Sequence, residues 1–220
     1  MNLLRLIAAM ALLFNLCQSA PSTPVPKAVP TDFLANEFKN LKSLIPKERV
    51  RNITYEHLET DQNFKAAIKY MQSEEWKDLI EAIRDKPEWI ALKKYLREFG
   101  IDLELIINYA EAFVANITVT LEPQDPPPKK NLSLFIIDVE QSLPIIAIVS
   151  FLHEKLINNP SVQELFEKLS NNESRQMIEN VIALPEVKCL IKEFEYMGVN
   201  FLDMFSLMYT FFGWGEFKSF

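Results

Sequence analysis

Apolar side chains recur at helical spacing through most of the chain. Residues 32–44 place Phe33, Leu34, Phe38, Leu41 and Leu44 close to one face. Residues 62–72 do the same with Phe64, Ala67, Ile68 and Met71, and the stretch behind Ser73 with Trp76, Leu79, Ile80 and Ile83. A further run opens at Asp85-Lys86-Pro87-Glu88, carries Ile90, Leu92 and Leu96, and ends at Gly100, which suits the left-handed position behind a helix. Residues 101–117 follow as another. Ser73 predicts a cap, and Ser161-x-x-Glu164 and Ser170-x-x-Glu173 read as capping boxes. The pattern predicts short helices and no strand. It is weakest as helix at Ile117–Leu121 and Ile145–Val149, where β-branched residues concentrate.

The pattern repeats. A shift of 98 positions aligns residues 31–113 with 129–211 without a gap. Pro46/Pro144, Glu56/Glu154, Leu58/Leu156, Ile80/Ile178, Pro87/Pro185, Glu88/Glu186, Gly100/Gly198 and Phe113/Phe211 are among the identities. The expected organisation is a helical repeat at 32–121, a Pro-rich linker at 122–130 and a second repeat at 131–220. Each repeat holds about six short helices, and the two form one globular all-α unit. The 13 prolines fit this plan, although proline is rejected by helix interiors. Pro21, Pro24, Pro26 and Pro30 lie in a leader at 21–31. Pro123, Pro126, Pro127 and Pro128 make the linker, an extended spacer. Most of the rest mark repeat boundaries.

Residues 1–20 stand apart. One basic residue, an apolar run from Leu6 to Leu16 and the small-residue end Cys17-Gln18-Ser19-Ala20 predict a secretory signal peptide, cut after Ser19 or Ala20. The run falls short of the ~20 residues that a membrane span needs. Asn52, Asn116, Asn131 and Asn172 each open an Asn-x-Ser/Thr triplet and are the candidate glycosylation sites of an exported chain. Removal of the signal peptide, with Cys17, leaves Cys189 as the sole thiol, within the apolar stretch Val187–Ile191, where a buried inert thiol is expected.

Charge and chemistry narrow the function. A formal net charge of −7 opposes a nucleic-acid partner, and 4 glycines leave no room for a phosphate loop. His57 and His153 fall at different offsets of the repeats, match no metal or triad pattern, and are expected to be partly exposed. No catalytic constellation, metal set or cofactor motif emerges, so the expectation is a protein that is not an enzyme. Two stretches are too apolar for surface helices: Leu132–Leu156 and Val199–Phe212. A helix apolar all round must be covered on every side, either as a central core helix or with one side on neighbours and the other lining a cavity. On the cavity reading, Ile106, Phe113, Phe135, Ile136, Ile146, Phe151, Phe201, Met204, Phe205, Met208 and Phe212 are the candidate lining residues. The second repeat region holds 10 phenylalanines against 5 in the first, and supplies more of the wall.

The duplicated helical organisation, with Pro87-Glu88 matched by Pro185-Glu186 and Gly100 by Gly198, resembles the insect allergen repeat family. That family includes the cockroach major gut allergen and midgut microvillar proteins, and the likeness is greatest to its blood-meal-induced mosquito midgut members. It runs from about Asp32 to the C-terminus and is diffuse, resting on organisation and not on a short motif. The resemblance implies a hollow helical capsule closing around one large apolar cavity, with bound fatty acid or phospholipid. The carrier expected on this basis is a monomer of the gut lumen or microvillar surface whose partners are lipids, with transient membrane contact; a corollary of lipid exchange is a capacity to lyse cells or enveloped viruses. The alternatives to a carrier are a modifier of plant-toxin breakdown, a role the same family contains, and a structural microvillar glycoprotein.

Overall fold

A computed structural model describes residues 37–218, apart from 38 and 42. The expected signal peptide, the leader and the first residues of the first repeat lie outside the described residues. Among those described, the chain forms twelve helices and no strand. Residues 37, 39–41 and 43 belong to α1. The first half continues with α2 (Lys47–Thr60), α3 (Gln62–Met71), α4 (Glu74–Arg84), α5 (Pro87–Glu98) and α6 (Leu103–Asn116). The second holds α7 (Ser133–Ser142), α8 (Ile145–Asn158), α9 (Pro160–Leu169), α10 (Asn172–Ala183), α11 (Pro185–Tyr196) and α12 (Phe201–Phe211). Five helix starts recur at the offset of 98: Lys47/Ile145, Gln62/Pro160, Glu74/Asn172, Pro87/Pro185 and Leu103/Phe201.

Local stereochemistry sets these starts. Asp61 accepts hydrogen bonds from the backbone N–H of Asn63 and Phe64, and its counterpart Asn159 accepts from Ser161 and Val162. Ser73 accepts from Trp76 and its counterpart Asn171 from Ser174; Asp102 accepts from Leu105 and Asn200 from Asp203. The identities change, yet each pair supplies an oxygen to an orphan N–H. The caps expected at Ser161 and Ser170 are therefore Asn159 and Asn171. Pro160 explains the first difference: its fixed φ suits the first helical position, so the cap is the residue before it, Asn159, two positions ahead of Ser161. Ile145–Val149 lies inside α8, whereas residues 117–121 are not helical. The linker is pinned to the start of α3, where Asn63 Oδ1 accepts from Lys129 N at 2.9 Å and Gln62 Oε1 from Glu122 N at 3.3 Å.

Packing between the halves is reciprocal. Helix α4 packs on α11 and α5 on α10, so one helical hairpin meets its own counterpart. Helix α2 packs on α7, and in the mirrored arrangement α8 meets α1 through Lys155 and Glu37, 3.4 Å apart. Most of the buried apolar side chains fall into two clusters. One contains Ile83, Leu92, Tyr95 and Leu96 with Val181, Ile182, Val187 and Ile191, the facing surfaces of the two hairpins. The other joins Val50, Phe64, Ala67, Ile68 and Trp76 to Leu132, Phe135, Val139, Leu143, Ile148 and Met197.

Gly100 and Gly198 take φ values of 78° and 83° behind α5 and α11, as the C-terminal position predicts. At Gly198 a Cβ would stand 2.0 Å from Ser133 Oγ and 3.2 Å from Ser133 Cβ. At Gly213, with φ 68°, nothing lies within 4 Å. Left-handed strain alone costs about 1–2 kcal/mol. Gly213→Ala is expected to lose that amount in urea unfolding, and Gly198→Ala more, because α7 must also shift.

Candidate functional site

Four helices hold more apolar surface than the two cores take up. Neither α6 nor α9 contributes a fully buried residue; α8 contributes only Ile148 and α12 only Tyr209. Ile106 and Phe113 on α6, Phe151 on α8, Phe201, Met204, Phe205 and Met208 on α12, and Phe212 beyond it are all half-buried. Seven of these lie on three helices whose apolar faces are incompletely covered, and Phe212 directly follows the last of them. The other expected lining residues are placed differently. Phe135 is a core residue, its ring 4.6 Å from Phe64 and 5.5 Å from His57, and Ile136 packs against the same cluster. Ile146 is 84% exposed. It occupies the outward position of α8 that matches Glu48 on α2, and Glu48 pairs with Arg51 at the surface.

An aromatic series runs along α12. Neighbouring ring centroids from Trp76 through Phe194, Phe201, Phe205, Phe217, Tyr209, Trp214 and Phe212 to Phe166 are 4.9–6.0 Å apart. Edge and tilted contacts of this kind hold rings without full burial. Phe166, Phe194, Trp214 and Phe217 were not among the expected lining residues. The signal that pointed to them was the excess of phenylalanine in the second half.

Polar side chains latch the apolar helices at their edges. Arg84 reaches from α4 to Glu104 at 3.1 Å and Glu111 at 2.9 Å on α6. The matching latch joins α10 to α12: Tyr209 donates to Glu179 Oε1 at 2.8 Å, and Arg175 Nε donates to the same oxygen at 2.8 Å. The hydrogen bond from Arg175 holds the Glu179 carboxyl below the usual carboxylate range, Tyr209 adds to this, and burial opposes it. Burial, then the bond to Glu179, pushes the Tyr209 hydroxyl up to about 12. Tyr70 is also raised, chiefly by burial and then by its bond to Glu193. Lys130 sits 3.4 Å above the Tyr70 ring and 3.1 Å from Glu193.

Two open clefts are bordered by residues other than the expected lining set. One of about 560 Å³ is bordered by Tyr95, Phe99, Lys168 and Met177. There Tyr95 Oη is 2.7 Å from the buried Ser174 Oγ, which donates to Lys168 O. The second, about 460 Å³, contains His57. His57 is buried rather than partly exposed, because Phe64 and Phe135 cover its ring while Asp61 and Asp138 engage both nitrogens at 3.2 and 2.8 Å. His153 is exposed. Cys189 is exposed, not buried: Val187, Leu190 and Ile191 face inward, and position 189 falls on the opposite side of α11. Among the described residues, no group of three His, Cys, Asp or Glu side chains is arranged to hold a metal. Of the sequon asparagines, Asn52, Asn116 and Asn172 are exposed; Asn131 is half-buried and accepts from Ser133 N.

Two comparisons bear on this arrangement. The family profile described as "insect allergen related repeat, nitrile-specifier detoxification" matches residues 33–205. Protein G12 of Anopheles gambiae is 25% identical over 199 residues, which cover 84% of this chain and 89% of that protein.

The latch at Glu179 makes a pH prediction. Its folded-state pKa is depressed below the unfolded value of about 4.3. Its contribution to stability is therefore complete above that value and lost as pH falls through the folded pKa. Glu179→Gln should unfold at lower urea concentration than the parent at pH 7. The gap should close in acid, below about pH 4.

Proposed function

Because the chain belongs to the insect allergen related repeat family, we propose that it is a secreted lipid-binding protein of the insect gut, taking fatty acid or phospholipid chains against the apolar faces of α6, α8 and α12. The observation that carries this reading is the mismatch between apolar content and core. Most buried apolar residues fall into two clusters, while α6 has no buried residue and α12 one. Half-buried Phe, Met and Ile side chains left over in this way gain about 0.8 kcal/mol for each methylene they remove from water. Such a surface selects for acyl length and little for head group. The signal-peptide reading of residues 1–20 sends the chain to a lumen, where dietary lipid and membranes are both available. Exchange of lipid with a bilayer follows from the same chemistry, and with it disruption of cell or viral membranes.

The family's association with nitrile-specifier detoxification favours a second reading, a modifier of that detoxification. That role needs a partner or substrate recognised by polar groups, and the cleft at Tyr95 and Lys168 would be its place.

Solvent extraction and mass spectrometry of the secreted chain decide between them. Stoichiometric fatty acid or phospholipid is expected, and its absence overturns the carrier reading. Reloading the delipidated protein should raise its Tm by mass action. Met204→Glu and Met208→Glu, at half-buried positions of α12, should lower the lipid recovered while leaving far-UV circular dichroism unchanged.

A further inference from the structure

The outer faces of α7 and α8 differ from those of their counterparts in one consistent way. Leu134 and Ile137 on α7 are 61% and 40% exposed, and Ile146, Val149 and Ile157 on α8 are 84%, 37% and 57% exposed. Spacings of three along α7, and of three and eleven along α8, put each set on one stripe of its helix. At the matching positions of the first half stand Asn36, Lys39, Glu48, Arg51 and Glu59, the last four exposed. Ser150, within the α8 stripe, matches the sequon residue Asn52. One fold thus presents the same surface twice, charged in one copy and aliphatic in the other. The other exposed large apolar residues, Tyr55, Ile90, Leu105, Tyr196 and Phe211, lie singly on five different helices. Isolated exposures of that kind are ordinary.

We propose that the outer face of α7 and α8 is the surface by which this protein docks on a lipid bilayer. The proposal rests on the lipid-carrier reading and names where exchange takes place. Composition separates a bilayer from a protein partner. The five exposed residues are all aliphatic, without the Trp, Tyr and Arg anchors that dominate protein interfaces. Together α7 and α8 have the length and hydropathy of a membrane span, but they are bent by 67° at their junction. No single helix among the described residues is long and apolar enough to cross a membrane. The inner sides of the pair, at Phe135, Val139 and Ile148, belong to a core. Such a pair lies on a bilayer with its free apolar stripes among the acyl chains. The net charge of −7 further points to neutral lipid and not to an anionic surface.

The two halves supply their own control. In the full chain, Ile137→Lys, Ile146→Glu, Val149→Arg and Ile157→Glu install the residues that the first half carries at the same positions. Flotation with phosphatidylcholine vesicles reads docking, and lipid extraction of the same samples reads carriage. The parent is expected to float, with no loss at high salt. The fourfold variant should bind vesicles at least about tenfold more weakly with an unchanged thermal unfolding profile. Equal flotation of both proteins, or of neither, overturns the proposal. So does a parent dimer in sedimentation that the substitutions convert to monomer, since a second copy then covers this face. Failure of the carrier reading shows separately, as an extract without lipid.

Discussion

Helices of 10–14 residues do not persist alone in water, so each helix in this chain depends on the partner that covers its apolar stripe. The meeting of α4–α5 with α10–α11 is the contact on which the others depend. Because the two hairpins are counterparts, one solution to the packing problem serves both: α4 covers α11 and α10 covers α5. Ile83 and Val181, at matching positions, are both buried there. The Lys86–Glu186 pair crosses the same seam at 2.6 Å, between residues in the first turns or caps of matching helices. Separated, each half would expose this entire surface.

That geometry also explains why apolar surface is left over. A reciprocal seam buries the middle helices of each half, and the opening helices find a second core. The last helices, α6 and α12, then pack mainly on the helix before each, α5 and α11 respectively. Polar latches hold them where hydrophobic burial does not: Arg84 for α6, and Glu179 with Tyr209 for α12. The proposed lipid binding uses these helices because their apolar atoms are ordered but not fully covered. The opening helices show the same logic of position over identity. At matching positions, His57 reaches Asp138 and Lys155 reaches Glu37, two different donors that each cross to a carboxylate of the other half.

Much of this was legible in the residues. Pro87, Pro185, Gly100 and Gly198 act through their own backbone preferences, so their places as helix starts and ends could be read without tertiary information. Caps were half legible. Ser73 is a cap, but at positions 159 and 171 asparagine does the work that the nearby serines suggested, since several short side chains offer the same oxygen. His57, Phe135 and Cys189 were misread for another reason. Each lies in a segment whose periodicity marks a helix, and each has a fate set by a partner distant in sequence: Asp138 for His57, Phe64 for Phe135, and for Cys189 the orientation of α11 against α4.

What the sequence by itself determined is the all-helical class, the offset of 98, and the helix punctuation. These follow from local stereochemistry and a period that repeats. Only the tertiary structure decided which apolar residues close a core and which remain free. Phe135 and Ile146 belong to one apolar segment, yet one is buried among aromatic rings and the other stands 84% exposed. Periodicity assigns a residue to a face of its helix. Only the packing of the two halves determines whether anything covers that face.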